Sequence, residues 1–413
     1  MPHSCVAPTR SLDVRTRSAG DMLPVSTVDF FDDELPERAW IYGGLAVPGA
    51  LELRVAPFTI ATPSGAWTLA LDHDEISVQP GDTGAARVLL DDDDVASIVN
   101  DTATPMTLVA SARLRMERGQ LGAFLDWWVV LRSLIDARPV HTTGSITFLD
   151  QHDAPLDLAR SFTPHDADAD IAHFLAEAGF LHLEAWFDAG EMEAIDRDMD
   201  AAFEHYNADD GRSWWAETAD GTARAVRLQQ FEEHSQTLAA LLADERFLRI
   251  GALVPHAYVA RTTGEALEKP IGVVKGISDL PWHKDCSLGM HSYNCCGITV
   301  GISVTGADAR SGQLSVVPGS HRALVQPAFH RREWGLPPRD LPTRRGDVTV
   351  HCSCTMHMSH APVERERRVV YTGFGLPPRE EVPLDMQGVR AVREEAYKKV
   401  SQPASRVAAT PPR

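Results

Sequence analysis

The sequence predicts two domains, a small α+β module in the N-terminal third and a mainly-β domain with flanking helices in the remainder. A length of 413 residues exceeds that of a typical single domain. Short runs of alternating apolar and polar residues, separated by Pro- and Gly-containing turns, recur in both parts and predict strands. Residues 151–167 are polar and contain prolines, so we expect a linker there.

Composition limits the classes of function. The hydrophobic fraction of 44% and the charged fraction of 23% are ordinary for a globular protein. The net charge of −19 opposes binding to nucleic acid or to an anionic membrane surface. No apolar run approaches the roughly 18 residues of a membrane span, and the N-terminus lacks the apolar core of a signal peptide. We therefore expect a cytoplasmic protein without a nucleic-acid partner or a membrane span.

Residues 25–150 form the predicted α+β module, between a flexible tail at residues 1–24 and the linker. An acidic run, residues 91–94, precedes Val95 and suits the beginning of a short helix. A strand is predicted at Ser111–Leu114. Apolar residues at helical spacing then predict a closing amphipathic helix: Leu121, Phe124, Leu125, Trp128, Leu131 and Leu134. The order of these elements resembles the sterol carrier protein fold over about residues 30–140, which implies a module with an apolar cavity.

Three residues in the second part suggest a metal site. His283 and Asp285 lie two positions apart, so on a β-strand both side chains would point to the same face. His357, from a distant strand, would complete a set of two histidines and one carboxylate. Such a facial triad leaves coordination positions open and is typical of non-haem Fe(II) oxygenases. His351 and His360 lie close to His357 and are alternatives for the distal ligand.

Four motifs in order carry a more specific resemblance. They are Gly-Phe-Leu-His-Leu after a predicted helix, Trp-His-Lys-Asp, Gly-Gln-Leu-Ser-Val-Val-Pro-Gly-Ser-His-Arg, and Gly-Asp followed by His-Met-Ser and an arginine. Together they resemble the phytanoyl-CoA dioxygenase family over about residues 168–378. The resemblance implies a double-stranded β-helix, or jelly-roll, at residues 168–390. Residues 391–413 contain paired lysines and several prolines, so we expect a disordered tail there. The resemblance also implies Fe(II) as the metal, with 2-oxoglutarate and O2 as co-substrates.

The resemblance further implies roles for individual residues. His283, Asp285 and His357 would bind iron, and the interval of eleven residues to Arg368 favours His357 over His360. Arg368, which the same interval favours over Arg367, would bind the distal carboxylate of 2-oxoglutarate together with Ser359. We also consider Lys275 as a residue that binds the co-substrate, and Trp282, Gln313 and His351 as residues of the substrate pocket.

The implied reaction is hydroxylation of an unactivated C–H bond in a small apolar, lipid-like or specialised-metabolite substrate, with release of succinate and CO2. Asp285 favours hydroxylation over halogenation, because related halogenases have a small residue at this position. Desaturation and cyclisation would use the same chemistry. The rival hypotheses are a non-catalytic lipid- or metabolite-binding protein and a cupin-like metalloenzyme that does not use 2-oxoglutarate. For the oligomeric state, the hypothesis that we consider is a homodimer.

Overall fold

The computed structural model describes residues 22–207, 210–276, 280–288 and 297–377. The chain divides into two compact units. The N-terminal unit comprises residues 1–147, 284–294 and 320–336, and the C-terminal unit comprises residues 148–283, 295–319 and 337–413. Residues 1–21 of the predicted N-terminal tail and the whole predicted C-terminal tail lie outside the described residues. In the part of the chain that is described, no helix has the length and apolarity to cross a bilayer.

The N-terminal unit is an α+β structure with a five-stranded sheet. Its helices are α1 (Thr27–Asp29), α2 (Leu35–Leu53), α3 (Asp92–Val99), α4 (Pro105–Ala110) and α5 (Leu121–Asp136), with a π-helical turn at Phe30–Glu34 and 3-10 turns at Asp285–Leu288 and Arg332–Trp334. Its strands are β1 (Phe58–Thr62), β2 (Gly65–Asp72), β3 (Glu75–Pro80), β4 (Ala86–Leu89) and β5 (Arg115–Arg118). The sheet order is β3-β2-β1-β4-β5, and β1 pairs with β4 in parallel. The similarity of this unit to sterol carrier proteins stays a prediction.

Local signals explain most of these elements. The predicted acidic start of α3 is observed as a capping box, in which the Asp91 and Asp94 side chains accept hydrogen bonds from each other's backbone N–H groups. The predicted closing helix is α5, but it is not amphipathic, because residues 124–135 are buried on every side of the helix while Leu121 is half-buried. The predicted strand at Ser111–Leu114 is wrong. Helix α4 continues to Ala110 and Ala112 has a φ of 56°, so the strand begins only at Arg115.

The described residues of the C-terminal unit form two antiparallel sheets and four α-helices. The helices are α6 (Asp168–Ala178), α7 (Ala189–Ala202), α8 (Gln236–Leu242) and α9 (Glu245–Ala252), with 3-10 turns at Phe203–His205 and Phe231–Glu233. The strands are β6 (Phe180–Leu183), β7 (Ser213–Thr218), β8 (Ala223–Leu228), β9 (Val259–Ala260), β10 (Glu265–Lys269), β11 (Val273–Lys275), β12 (Leu280–His283), β13 (Gly297–Ser303), β14 (Leu314–Val316), β15 (Arg339–Leu341), β16 (Val348–Cys352), β17 (His357–Ser359) and β18 (Arg367–Gly375).

The two sheets are consistent with the predicted jelly-roll. The larger sheet has the order β11-β7-β8-β10-β18-β13-β16-β6, with β9 also paired to β18, and the smaller sheet has the order β12-β17-β14-β15. The segment predicted to be a linker is part of the C-terminal unit. Within it, Phe162 is fully buried. Its backbone N–H donates to the carbonyl oxygen of His182 on β6, and its carbonyl oxygen accepts a hydrogen bond from the N–H of Glu184, just after β6. This segment therefore packs against the sheet rather than crossing solvent.

The two faces of the larger sheet differ in polarity. Alternate residues of β13, β16 and β18, including Ile298, Val350 and Phe374, belong to the apolar core that the helices also form. The residues between them make a polar face, on which Thr299 pairs with His351, and Gly301 pairs with Thr349 and Tyr371. The ring of His351 is centred 4.1 Å from that of His357 on β17. The polar face is therefore directed toward the smaller sheet.

Candidate metal centre

The two predicted histidine ligands meet across a pair of antiparallel strands. His283 of β12 is directly opposite His357 of β17, and their ring centroids are 4.2 Å apart. Asp285 is the first residue of the 3-10 turn that follows β12. One possible ligand atom from each of the three residues lies within 4.8 Å of the other two. The structure thus brings the predicted triad together.

Asp285 reaches this position in a different way from the one predicted. Strand β12 ends at His283, so the two residues do not share a strand face. The turn after the strand brings the carboxylate back toward the imidazole. The prediction of a shared strand face was therefore wrong, although the residues it selected lie together.

Backbone carbonyls orient both imidazoles. His283 Nδ1 lies 2.8 Å from the carbonyl oxygen of Pro281, and His357 Nδ1 lies 2.9 Å from that of Thr355. A carbonyl oxygen only accepts hydrogen bonds, so Nδ1 must carry the proton in each ring. In the neutral ring, Nε2 then carries the lone pair that a metal ion requires. The same arrangement, a metal-binding histidine held by its other nitrogen, fixes tautomer and ring orientation in metalloproteins generally.

The two alternative distal histidines have different surroundings. His360 is half-buried, and its Nε2 lies 2.8 Å from Ser315 Oγ and 3.7 Å from an Asp340 carboxylate oxygen. His351 is buried on β16 beside His357, but it is not part of the ligand group. The geometry therefore favours His357 as the distal ligand.

A buried arginine lies next to the strand that carries His357. Arg367, at the beginning of β18, is 3% exposed. Its Nη1 donates to the carbonyl oxygen of Gly312 at 2.8 Å and lies 3.3 Å from Ser359 Oγ, and its Nη2 lies 3.3 Å from the Tyr371 hydroxyl. Its Nε is also buried and has no acceptor among the described residues. An unsatisfied buried donor of this kind suits a carboxylate ligand.

Arg368, which the sequence analysis preferred, points away from this site. Its guanidinium binds three carboxylates, those of Glu268 on β10 at 3.0 Å and of Asp196 and Asp200 on α7 at 2.8 and 2.7 Å. Successive side chains of a strand project to opposite faces, so only one of Arg367 and Arg368 can project beside Ser359. The placement disagrees with the prediction from residue spacing, because spacing alone does not reveal which face of β18 each arginine occupies.

The remaining predicted site residues lie on or next to several different strands. Ser359 is buried and lies two residues after His357 on β17. Trp282 is half-buried on β12 immediately before His283, and Gln313 is buried just before β14. Lys275 lies on β11, the edge strand of the larger sheet, opposite Glu217. The structure thus groups Ser359 and His351 with the triad strands and leaves Lys275 on an outer strand.

Sequence reasoning did not single out Tyr371 or Gly312, which both contact the Arg367 guanidinium. Tyr371 had a readable signal, because it lies four residues after Arg367 on a predicted strand and therefore shares its face. Gly312 acts through its carbonyl oxygen, so its side-chain type gave no signal. These contacts hold the guanidinium from two sides.

The Gly-Asp pair of the fourth motif has a structural role. The buried Asp347 carboxylate accepts hydrogen bonds from the backbone N–H groups of Arg344 and Ala185 at 2.7 and 2.9 Å, and it lies 3.2 Å from His182 Nε2. Burial alone would raise the pKa of Asp347, but these hydrogen bonds outweigh it and hold the pKa below its usual range. Asp347 therefore fixes the turn that leads into β16.

The fold and the triad define the class of this site, and comparison with known families agrees. Residues 175–369 match the family model described as phytanoyl-CoA dioxygenase, PhyH, which confirms the predicted resemblance over that range. This part of the chain accordingly falls in the class of Fe(II)- and 2-oxoglutarate-dependent oxygenases, with O2 as the second co-substrate. No significant match is found among curated proteins.

Several solved structures align with about half of this chain at about 20% sequence identity. The non-haem alpha-ketoglutarate-dependent epimerase SnoN from nogalamycin biosynthesis is 20% identical, over 49% of this chain and 79% of SnoN, with a TM-score of 0.40. AviO1 from Streptomyces viridochromogenes Tue57 is 19% identical, over 52% of this chain and 98% of AviO1, with a TM-score of 0.41. EctD from S. alaskensis is 20% identical, over 53% of this chain and 82% of EctD, with a TM-score of 0.41.

Proposed function

We propose that the chain is an oxygenase that hydroxylates an unactivated C–H bond of a small apolar or specialised-metabolite substrate. One atom of O2 would enter the substrate as hydroxyl, and the other would enter succinate as 2-oxoglutarate loses its C1 carboxylate as CO2. The observation that carries this proposal is the triad of His283, Asp285 and His357 beside the buried guanidinium of Arg367. Two imidazoles and one carboxylate on one side of a ferrous ion leave room for a chelating 2-oxo acid and O2.

The triad residues act as iron ligands in this proposal. The hydrogen bonds to Pro281 and Thr355 favour the tautomer of each neutral imidazole that carries its proton on Nδ1 and directs the lone pair of Nε2 at a metal ion. The iron, when bound, supplies the oxidising chemistry together with 2-oxoglutarate and O2. The protein's part is to hold the ligands in place and to orient one C–H bond.

Arg367, rather than Arg368, is the residue that we propose for the distal carboxylate of 2-oxoglutarate. Its buried Nε is an unsatisfied donor, which costs about 1–3 kcal/mol unless a ligand accepts from it. Ser359 and Tyr371 hold the guanidinium and offer hydroxyl groups beside it. A planar guanidinium can bind a carboxylate with two parallel hydrogen bonds, which a lysine at this position would not reproduce.

The reaction type rests on Asp285. A carboxylate at this position occupies a coordination site that an iron halogenase would leave to chloride, so the triad favours oxygen transfer. Trp282, Gln313 and His351 are our candidates for substrate contacts because they lie on or beside the triad strands. The apolar character of the substrate is inferred from the resemblance of the N-terminal module to sterol carrier proteins.

Anaerobic binding experiments test this proposal. Fe(II) is added to the purified full chain under argon, followed by 2-oxoglutarate, and the weak visible charge-transfer absorption of an iron–2-oxo acid chelate is recorded. We expect the absorption to appear and to saturate with 2-oxoglutarate, and to be absent from His357→Ala. Iron binding without this absorption would favour a cupin-like enzyme. Absence of iron binding would favour a non-catalytic binding protein.

A further inference from the structure

We infer that Lys284 is a positioning residue that fixes the iron ligand Asp285 by anchoring it to residues 320–336, here called the bracket segment. The inference deepens the proposed function and rests on it, because it takes Asp285 as a ligand. Lys284, Asp285 and the bracket segment all belong to the N-terminal unit.

Lys284 stands between His283 and Asp285 in the sequence and is fully buried. Its Nζ donates to the carbonyl oxygen of Ser320 at 2.8 Å, and its backbone N–H donates to the carbonyl oxygen of Pro327 at 3.0 Å. Burial of an ammonium group is costly, and an apolar side chain of the same length could fill the same space without that cost. A buried lysine here therefore indicates a directional requirement rather than simple packing.

The bracket segment is itself anchored to helix α5. The Arg331 guanidinium forms an ion pair with the buried Asp126 carboxylate, and Gln326 Nε2 lies 3.4 Å from the same carboxylate. Leu324 is buried in the apolar core of the N-terminal unit, together with Trp128 and other residues of α5. The middle of the bracket segment is thus held by both polar and apolar contacts.

Both ends of the bracket segment are held as well, by the chain that follows α5. Arg138 Nη2 donates to the carbonyl oxygen of Arg322 at 2.7 Å. Near the other end, His141 Nε2 lies 2.8 Å from the carbonyl oxygen of Trp334. Five positions along the segment are therefore held by contacts with α5 or with the chain that follows it. The two carbonyl oxygens that accept hydrogen bonds from Lys284 belong to this held segment.

Asp285 needs such support more than the two histidines do. His283 and His357 are paired within a β-ladder, whereas Asp285 lies beyond the end of β12. Adjacent Cα atoms are only about 3.8 Å apart, so a displacement of Lys284 is passed directly to Asp285. A metal ligand has to stay within about 0.5 Å of its productive position. We therefore expect the anchoring of Lys284 to control metal affinity.

The test is a titration of the full chain with Co(II), an air-stable substitute for Fe(II), followed by its visible absorption spectrum. Lys284→Met keeps the apolar stem but removes the donor, and we expect it to bind Co(II) about 10- to 100-fold more weakly than the unmodified chain. Asp126 lies on α5 and contacts Arg331 of the bracket segment, so Asp126→Asn acts on Lys284 indirectly. We expect it to weaken Co(II) binding as well, by a smaller factor. Val129→Ala is the matched control, because it creates a cavity at a buried residue of α5 that forms none of the hydrogen bonds or ion pairs of the bracket segment.

The outcomes separate this inference from the proposed function. Weakened binding in Lys284→Met and Asp126→Asn, with binding by Val129→Ala unchanged, supports it. Equal binding by all variants overturns it while leaving the oxygenase proposal intact, and so does a loss in all three that follows their thermal stability. If Lys284→Met does not fold, as judged by circular dichroism, Asp126→Asn decides alone. Failure of the unmodified chain to bind Co(II) overturns the proposed function and this inference with it.

Discussion

The guanidinium Nη1 of Arg367 lies 3.3 Å from Ser359 Oγ, and Ser359 shares one face of β17 with the candidate ligand His357. A single short strand therefore carries a metal ligand and a contact to a buried cation. The same alternation of side chains sends Arg368 to the opposite face of β18, where it binds carboxylates of α7 and β10.

Replacing Arg367 and Arg368 by alanine, one at a time, should affect two different properties, the binding of 2-oxoglutarate and the stability of the fold. Arg367→Ala is expected to weaken anaerobic binding of 2-oxoglutarate by about 100-fold or more, because truncating one partner of a buried charge pair costs about 2–5 kcal/mol. Arg368→Ala should bind 2-oxoglutarate normally but lose about 1–3 kcal/mol of unfolding free energy, because the buried Glu268 loses one of its two arginine partners and keeps Arg224. Calorimetric titration and urea unfolding measure the two effects.

Arg367→Lys provides the control for charge alone. It retains a cation but not the planar fork, so we expect 2-oxoglutarate binding to stay at least tenfold weakened. Normal co-substrate binding by Arg367→Ala, together with loss of binding in Arg368→Ala, would restore the assignment made from residue spacing.

The nearby histidines should differ sharply in metal binding. His357→Ala removes a ligand and is expected to abolish measurable Fe(II) binding in an anaerobic equilibrium assay. His360→Ala removes the contacts to Ser315 and Asp340, which are not candidate ligands, and should bind Fe(II) within about threefold of the unmodified chain. Loss of iron binding in His360→Ala but not in His357→Ala would show that the distal ligand has been misassigned.

Gly301 keeps the polar face of the larger sheet open. A Cβ atom at this position would lie 2.8 Å from both Thr349 Oγ1 and Tyr371 Cε1, closer than ordinary contact. Since Tyr371 contacts Arg367, Gly301→Ala should raise the apparent KM for 2-oxoglutarate several-fold and leave Fe(II) affinity unchanged. Gly190→Ala in α7, where a Cβ meets nothing within 4 Å, is the matched control and should leave KM unchanged. A normal KM in Gly301→Ala would exclude a role for Tyr371 in holding Arg367.

The buried ion pair of Asp126 predicts a dependence of stability on pH. Burial raises the pKa of Asp126 from 3.8 to about 6, although the Arg331 guanidinium opposes this shift. The folded state therefore holds the proton more tightly than the unfolded chain, so the contribution of Asp126 to stability falls as the pH rises toward about 6. The unfolding free energy of the unmodified chain, relative to Asp126→Asn, should fall by about 2 kcal/mol between about pH 4.5 and pH 7. A constant or rising difference would contradict the raised pKa.

The sequence predicted the triad but not the geometry that holds it. His283, Asp285 and His357 could be identified because their residue types and the surrounding motifs are local signals. The choice between Arg367 and Arg368 depended on which face of β18 each occupies, and that is set by pairing with β10 and β13. The inclusion of residues 284–294 and 320–336 in the N-terminal unit depends on contacts such as that of Arg331 with Asp126, 205 positions apart, which no local pattern indicates.

Succinate formation is the most direct test of the central claim. The full chain, loaded anaerobically with Fe(II), is supplied with 2-oxoglutarate and O2, and succinate is measured over time alongside His357→Ala and His360→Ala. We expect slow succinate formation by the unmodified chain and by His360→Ala even without a substrate, and none above background by His357→Ala. Absence of succinate from the iron-loaded unmodified chain, or equal formation by His357→Ala, would contradict the assignment of this site as an Fe(II)- and 2-oxoglutarate-dependent oxygenase.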